Sequence, residues 1–160
     1  MIYVVIMDEE TEASVMKKIL ILLTLIFIPF TFAGHHEEVD TTIIFTINLD
    51  VVDGKAESLK VMLDKMVPAV KASEPGTASY QYFMSADSKK VTLIEIYPSS
   101  QAAIAHMEAF AVSPFQEEFL NSLVITSFQV VGESSPALIE AMSPFTSDIR
   151  RLVNGFVRWQ

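Results

Sequence analysis

Two side chains able to move a proton stand where the surrounding pattern asks for something apolar. In the stretch 90–97, KVTLIEIY, the residues Val91, Leu93, Glu95 and Tyr97 alternate with Thr92, Ile94 and Ile96. Both faces of a strand here are largely apolar, and Glu95 occupies a hydrophobic position. Further on, Ala103, Ile104, Met107, Phe110 and Ala111 recur at helical spacing, with His106 on the flank of Ala103 and Phe110. A general base works best with its pKa near the working pH, which histidine has by nature and a desolvated glutamate acquires. A buried carboxylate also persists when a tyrosine hydroxyl or an imidazole satisfies it, so a structural pairing of Glu95 stands beside the functional reading. Tyr80, Tyr82, Phe83 and Tyr97 fit core or interface packing as well as a substrate pocket. Met62, Met66 and Met107 read as core filler.

The elements that must position these residues follow from local signals. Thr42 to Leu49 alternates and is rich in β-branched residues, the mark of a first strand. Asp50 to Gly54 turns the chain, and Asp53 is placed to cap a helix from about Gly54 to Ser73. Leu59, Met62, Leu63, Met66, Val67 and Val70 form its buried stripe, with Pro68 marking a bend or a lost hydrogen bond and Glu74-Pro75-Gly76 the stop. Thr77 to Met84 is a second strand, and a polar hairpin at Ala86 to Lys89 leads into the strand of Glu95. Pro98 ends that strand, Ser99 or Ser100 caps the helix of His106, and Ser113, Pro114 and Gln116 start another short helix. Leu123 to Val131 is the fourth strand.

The resulting order, β-α-β-β-α-β, predicts an α+β, ferredoxin-like fold with two helices covering one face of a four-stranded antiparallel sheet. The strands carry apolar residues on both faces, so the second face also needs a cover. A second copy packed sheet to sheet about a two-fold axis supplies one. The segment from Ser134 to Gln160 is the alternative, with Ser135-Pro136 opening a helix through Met142 and Phe145, Ile149, Leu152, Val153, Phe156, Val157 and Trp159 beyond it.

Composition bounds the setting. The chain has 160 residues, a formal charge of −9 and no cysteine. An acidic surface repels phosphate backbones, which argues against nucleic acid as a partner. Without cysteine the fold is held by its core alone. Met16-Lys17-Lys18, the apolar run from Ile19 to Phe32 and the small-residue end at Ala33 match a secretory signal peptide, with translation expected to start at Met16 because residues 8–12 are acidic. The run is shorter than the roughly 20 residues a membrane span needs, so residues 1–33 are expected to be removed, leaving no stable membrane anchor and a periplasmic or secreted protein. Residues 34–40 then form a polar tail, read as solvated although His36 would stand third after the cut, where an amine and an imidazole can bind Cu(II) or Ni(II). No metal site is expected elsewhere, and no Ser-His-Asp order or glycine-rich phosphate loop is present.

Gly54-Lys55-Ala56-Glu57, Glu74-Pro75-Gly76-Thr77, Leu93-Ile94-Glu95-Ile96-Tyr97, Ala105-His106-Met107 and Ser113-Pro114-Phe115, taken in order, resemble the antibiotic biosynthesis monooxygenase domain superfamily. The resemblance spans about residues 41–133, with 134–160 as an added helical tail. It implies a dimeric α/β barrel joined through the sheet faces, with a pocket between sheet and helices in each subunit. It also implies oxidation of a small quinol- or anthrone-like aromatic by O2 with no cofactor, or, as the alternative, a non-catalytic binding module of the same fold. Residue by residue, it points to Glu95, Tyr97 and His106; on that footing Glu95 and His106 are expected to transfer the proton, with Tyr82, Tyr97, Phe110 and Asn48 as pocket residues. A haem-degrading branch of the fold needs a histidine and a tryptophan where this chain has Phe119 and Tyr97, which argues against haem.

Overall fold

The computed structural model describes residues 42–156. The signal-peptide reading, the Met16 start, the 34–40 tail with His35 and His36, and Val157 and Trp159 all lie outside the described residues. Five strands and four helices are present among those described: β1 (Ile43–Val51), α1 (Ala56–Ser73), β2 (Ser79–Met84), β3 (Lys90–Tyr97), α2 (Ser100–Ala111), α3 (Gln116–Ser122), β4 (Leu123–Val131), α4 (Pro136–Met142) and β5 (Ile149–Arg150). None of these helices is long and apolar enough to cross a membrane.

The strands lie in the order β2-β3-β1-β4-β5, the ferredoxin-like arrangement with one strand added at an edge. The expected sheet was four-stranded and antiparallel, whereas the observed one is mixed and open, because β5 pairs parallel to β4. Two residues sufficed for β5, too few to leave an alternation legible in sequence. Its partners are fixed by backbone bonds from Val130 N–H to the Asp148 carbonyl (3.0 Å) and from Gly132 N–H to the Arg150 carbonyl (2.8 Å).

The period-two patterns resolve into one buried face. Ile43, Phe45, Ile47 and Leu49 of β1 lie beside Tyr97, Glu95, Leu93 and Val91 of β3, all turned toward the helices and buried. Leu59, Met62 and Met66 of α1, Ala103 of α2 and Phe119 of α3 close the layer above them. On the opposite face Ile44, Ile94 and Ile96 are half-buried and Phe83 is exposed.

Several helix starts sit slightly downstream of their sequence signals. Asp53 does not cap α1: the chain turns at Gly54 in the left-handed region (φ 77°), and the helix opens behind Lys55 with no side-chain cap. The helix continues through Pro68. Ser99 caps α2 by accepting from the Ala102 amide (3.2 Å). Ser113 instead holds a turn, accepting from the Phe115 amide (3.2 Å), so α3 begins at Gln116.

The described part of the tail packs α4 against α2 and β5 against the β4 edge. Ser135 caps α4, and Leu138 and Met142 are fully buried in the core cluster. Thr146 then donates its hydroxyl to the Phe128 carbonyl (2.6 Å), leading the chain along β4. Leu138→Ala should therefore cost about 2–5 kcal/mol, the range for truncating a buried leucine. Urea unfolding checks this, and a loss below about 0.5 kcal/mol would show the tail to be dispensable for folding.

Candidate active site

Glu95 lies mid-strand in β3 on the helix-facing side, with Phe45 of β1 and Tyr80 of β2 as its cross-strand neighbours. It is 3% exposed. Such a carboxylate persists only if its oxygens find partners, and here both do. Tyr97 donates its hydroxyl to Oε2 (2.9 Å), and His106 Nε2 lies 3.4 Å from Oε1. These are the two partners that sequence reasoning named for a structural pairing.

The capped start of α2 sets the helix phase that aims His106 down onto the sheet, where it is 4% exposed. Its other nitrogen, Nδ1, lies 2.6 Å from Oε2 of Glu74, which terminates α1 and also accepts from the Thr77 hydroxyl (3.0 Å). The imidazole is thus held between two carboxylates, with the rings of Tyr80 and Tyr97 5.4 and 5.5 Å away. Burial pulls the pKa of His106 down, but contact with Glu95 and then Glu74 outweighs it, and the net shift is upward from the ordinary histidine value. Burial also pushes the Tyr80 and Tyr97 hydroxyls far above their ordinary range. An imidazolium whose two N–H groups face carboxylates has no lone pair with which to take a proton. With His106 in that form, Glu95 is the member of the pair that still carries acceptor oxygens.

That arrangement carries a pH signature. Because the folded-state pKa of His106 is raised, its contribution to stability is complete below about pH 6.5, the unfolded value, and is lost as pH rises through the folded value. Melting temperature should fall as pH is raised above about 6.5, and the fall should be shallower in Glu74→Gln, which removes one of the two charges. Parallel profiles for the two proteins would remove the ion pair from the account.

Beside this network lies a cavity of about 140 Å³. The buried Glu95 and His106, with Tyr80, form its inner end, and Ile47, Leu93, Phe110, Phe119 and Phe128 its walls. Phe110 and Phe119 meet edge to face at 5.2 Å. Leu120, Ile125 and Phe145 line it as well and are exposed, which puts them at the mouth.

Of the residues proposed from sequence, the fold brings Glu95, His106 and Phe110 to this cavity. Tyr97 is fully buried and meets the site through its hydroxyl on Glu95 and its ring beside His106. Tyr82 faces a different hollow, against Leu63, Val67 and Pro68 of α1, and donates to the Tyr80 hydroxyl (2.6 Å). Asn48 does not reach the cavity. It sits on the opposite sheet face, accepting from Thr92 (2.8 Å) and donating to Ser127 (2.9 Å), because the period of two assigns even positions of β1 to that side. Glu74 escaped sequence reasoning, since Glu-Pro-Gly reads as a helix stop. A carboxylate at that stop was the only hint. Among the described residues no cluster of acidic, histidine or cysteine side chains has the geometry to hold a metal.

Comparison with known proteins bears on the same region. Residues 42–118 match the family model for antibiotic biosynthesis monooxygenase. The structure is similar to that of MupZ from Pseudomonas fluorescens, at 16% identity and a TM-score of 0.63 over 73% of this chain and 94% of that one. A candidate antibiotic biosynthesis monooxygenase from Nitrosomonas europaea is similar at 19% identity and a TM-score of 0.47, covering 61% of this chain and 94% of that one. None of the curated proteins compared matches the chain. At 16% identity the likeness to MupZ establishes the fold alone.

Proposed function

Residues 42–118 form a domain of the antibiotic biosynthesis monooxygenase family, and from that premise we propose that the protein oxidises a small quinol- or anthrone-like aromatic with O2 and no cofactor. The observation that carries this reading is a buried carboxylate, Glu95, at the inner end of a largely apolar cavity, with the His106 imidazole held against it. A phenolic hydroxyl bound there gives its proton to Glu95. The resulting anion is electron-rich enough to pass one electron to O2, and the positive charge of His106 stabilises the anions formed. Recombination of the two radicals makes a carbon–oxygen bond and a peroxide. Glu95 returns its proton to the peroxide; the ring carbon then loses its hydrogen as a proton, the C–H electron pair closes the carbonyl as the O–O bond breaks, and the departing hydroxide takes that proton and leaves as water. One oxygen atom enters the product and the other leaves as water, so no external reductant is needed.

A binding-only reading draws on one specific feature: Tyr97, Glu95, His106 and Glu74 satisfy one another without a ligand, as a structural network does. Oxygen uptake by the full chain with substituted hydroquinones separates the two. One O2 consumed per substrate, with one atom of labelled oxygen in the product, supports oxidation. Binding without uptake above the uncatalysed rate supports the module.

We further propose that the protein acts outside the cytoplasm and as a homodimer through the outer sheet face. The run from Met16 to Ala33 supports the first and the apolar Ile44, Ile94, Ile96 and Phe83 the second. The processed mass in secreted fractions and sedimentation of the purified protein test them in turn.

A further inference from the structure

The size of the cavity and the character of its mouth narrow the substrate further than the family does. An apolar cavity of about 150 Å³ holds one benzene ring, and this one encloses about 140 Å³. With a ring hydroxyl on Glu95, a single ring fills the space between the sheet and α2, and anything larger must leave through the mouth. There Leu120, Ile125 and Phe145 are 54%, 42% and 53% exposed. Three large apolar side chains grouped on the rim of one cavity are unfavourable in water and mark a surface that something apolar covers.

All three come from outside residues 42–118: Leu120 from α3, Ile125 from β4, and Phe145 from the loop behind α4. Glu95 and His106 lie within the matched residues, while the rim comes from residues beyond 118, with Phe145 supplied by the added tail. The added tail is not loosely attached. Leu138 and Met142 bury it, and Thr146 ties it to β4 one residue beyond Phe145.

We infer that the substrate is a single-ring phenol or quinol bearing an apolar chain, with the ring at Glu95 and the chain lying across Leu120, Ile125 and Phe145. The inference rests on the oxidation reading for the orientation of the ring, but its test does not require turnover. Calorimetric titration of the full chain with 4-methyl-, 4-butyl- and 4-hexylphenol measures the chain's contribution directly. A fully buried methylene raises affinity about fourfold, and one lying on an open rim about half as many-fold, so hexyl should bind about thirtyfold more tightly than methyl. In Leu120→Gln/Phe145→Ser, whose changes fall on exposed positions and spare the core, that ratio should fall below about fivefold. A rigid three-ring phenol should bind more weakly than 4-hexylphenol.

Affinity independent of chain length, a gain that survives in the rim variant, or tighter binding of the three-ring phenol would each overturn the inference while leaving oxidation intact. Chain-dependent binding with no oxygen uptake from the matching alkylhydroquinones would uphold the occupant and remove the oxidation. Absence of binding by every phenol removes both.

Discussion

Glu95→Gln should lower kcat for oxygen uptake by about 10²–10⁴-fold, the range for loss of a positioned general base, with KM changed by less than about threefold. The substitution keeps the shape of the side chain. The amide oxygen can still accept from Tyr97, so the hydrogen bond now measured at 2.9 Å survives. What disappears is the negative charge and the capacity to take a proton. His106 loses one of the two carboxylates that hold its pKa up, so its titration should move down toward the ordinary histidine value. Two readouts together separate chemistry from architecture. A protein that melts within a few degrees of the wild type, shows the lowered histidine titration by NMR and has lost turnover has lost its base. Turnover kept within about threefold despite the lowered titration would assign Glu95 to structure alone.

How much of this site was legible beforehand depends on which kind of signal each residue gave. Glu95 violated an alternation, and alternation maps onto burial in a sheet, so its anomalous position could be read and proved accurate. His106 lay on a helical stripe whose phase is fixed by the Ser99 cap, and its direction followed. Asn48 failed for the same reason that Glu95 succeeded: the parity of β1 that buries Phe45 and Ile47 turns position 48 to the other face. Tyr82 shares a face with Tyr80 but sits two residues further along β2, opposite Leu93 and against Leu63, Val67 and Pro68 of α1, away from His106. Glu74, Ile125 and Phe145 reach the site only through tertiary packing, and periodicity does not encode which helix end meets which ring. The fold was more legible than the site, because four strands and two long helices each repeat their pattern over many residues. The parallel β5 has only two.

His106→Leu should destabilise the protein by about 3–5 kcal/mol at neutral pH, the usual cost of removing one partner from a buried ion pair. The imidazole sits between Oε1 of Glu95 and Oε2 of Glu74, and the side chains of Glu95 and Glu74 are 4% and 16% exposed. Without it, two carboxylates remain beside an apolar side chain, neither able to reach water freely. The cost belongs to the orphaned charges, and this can be tested by removing them. Adding Glu95→Met, Glu74→Gln and Tyr97→Phe to the same protein leaves no buried charge and no hydroxyl without an acceptor, while the amide oxygen introduced by Glu74→Gln can still accept from Thr77. Replacing a buried ionic cluster by apolar groups of similar volume is often neutral or stabilising by about 1–4 kcal/mol. The fourfold variant should therefore recover most of the loss in urea unfolding. A single variant that loses less than about 1 kcal/mol would show that the carboxylates are solvated after all, and a fourfold variant no better than the single would place the loss in packing around Tyr80 and Tyr97. If the apolar variant equals the wild type in stability and consumes no oxygen, cohesion does not account for the network, and proton transfer at Glu95 does.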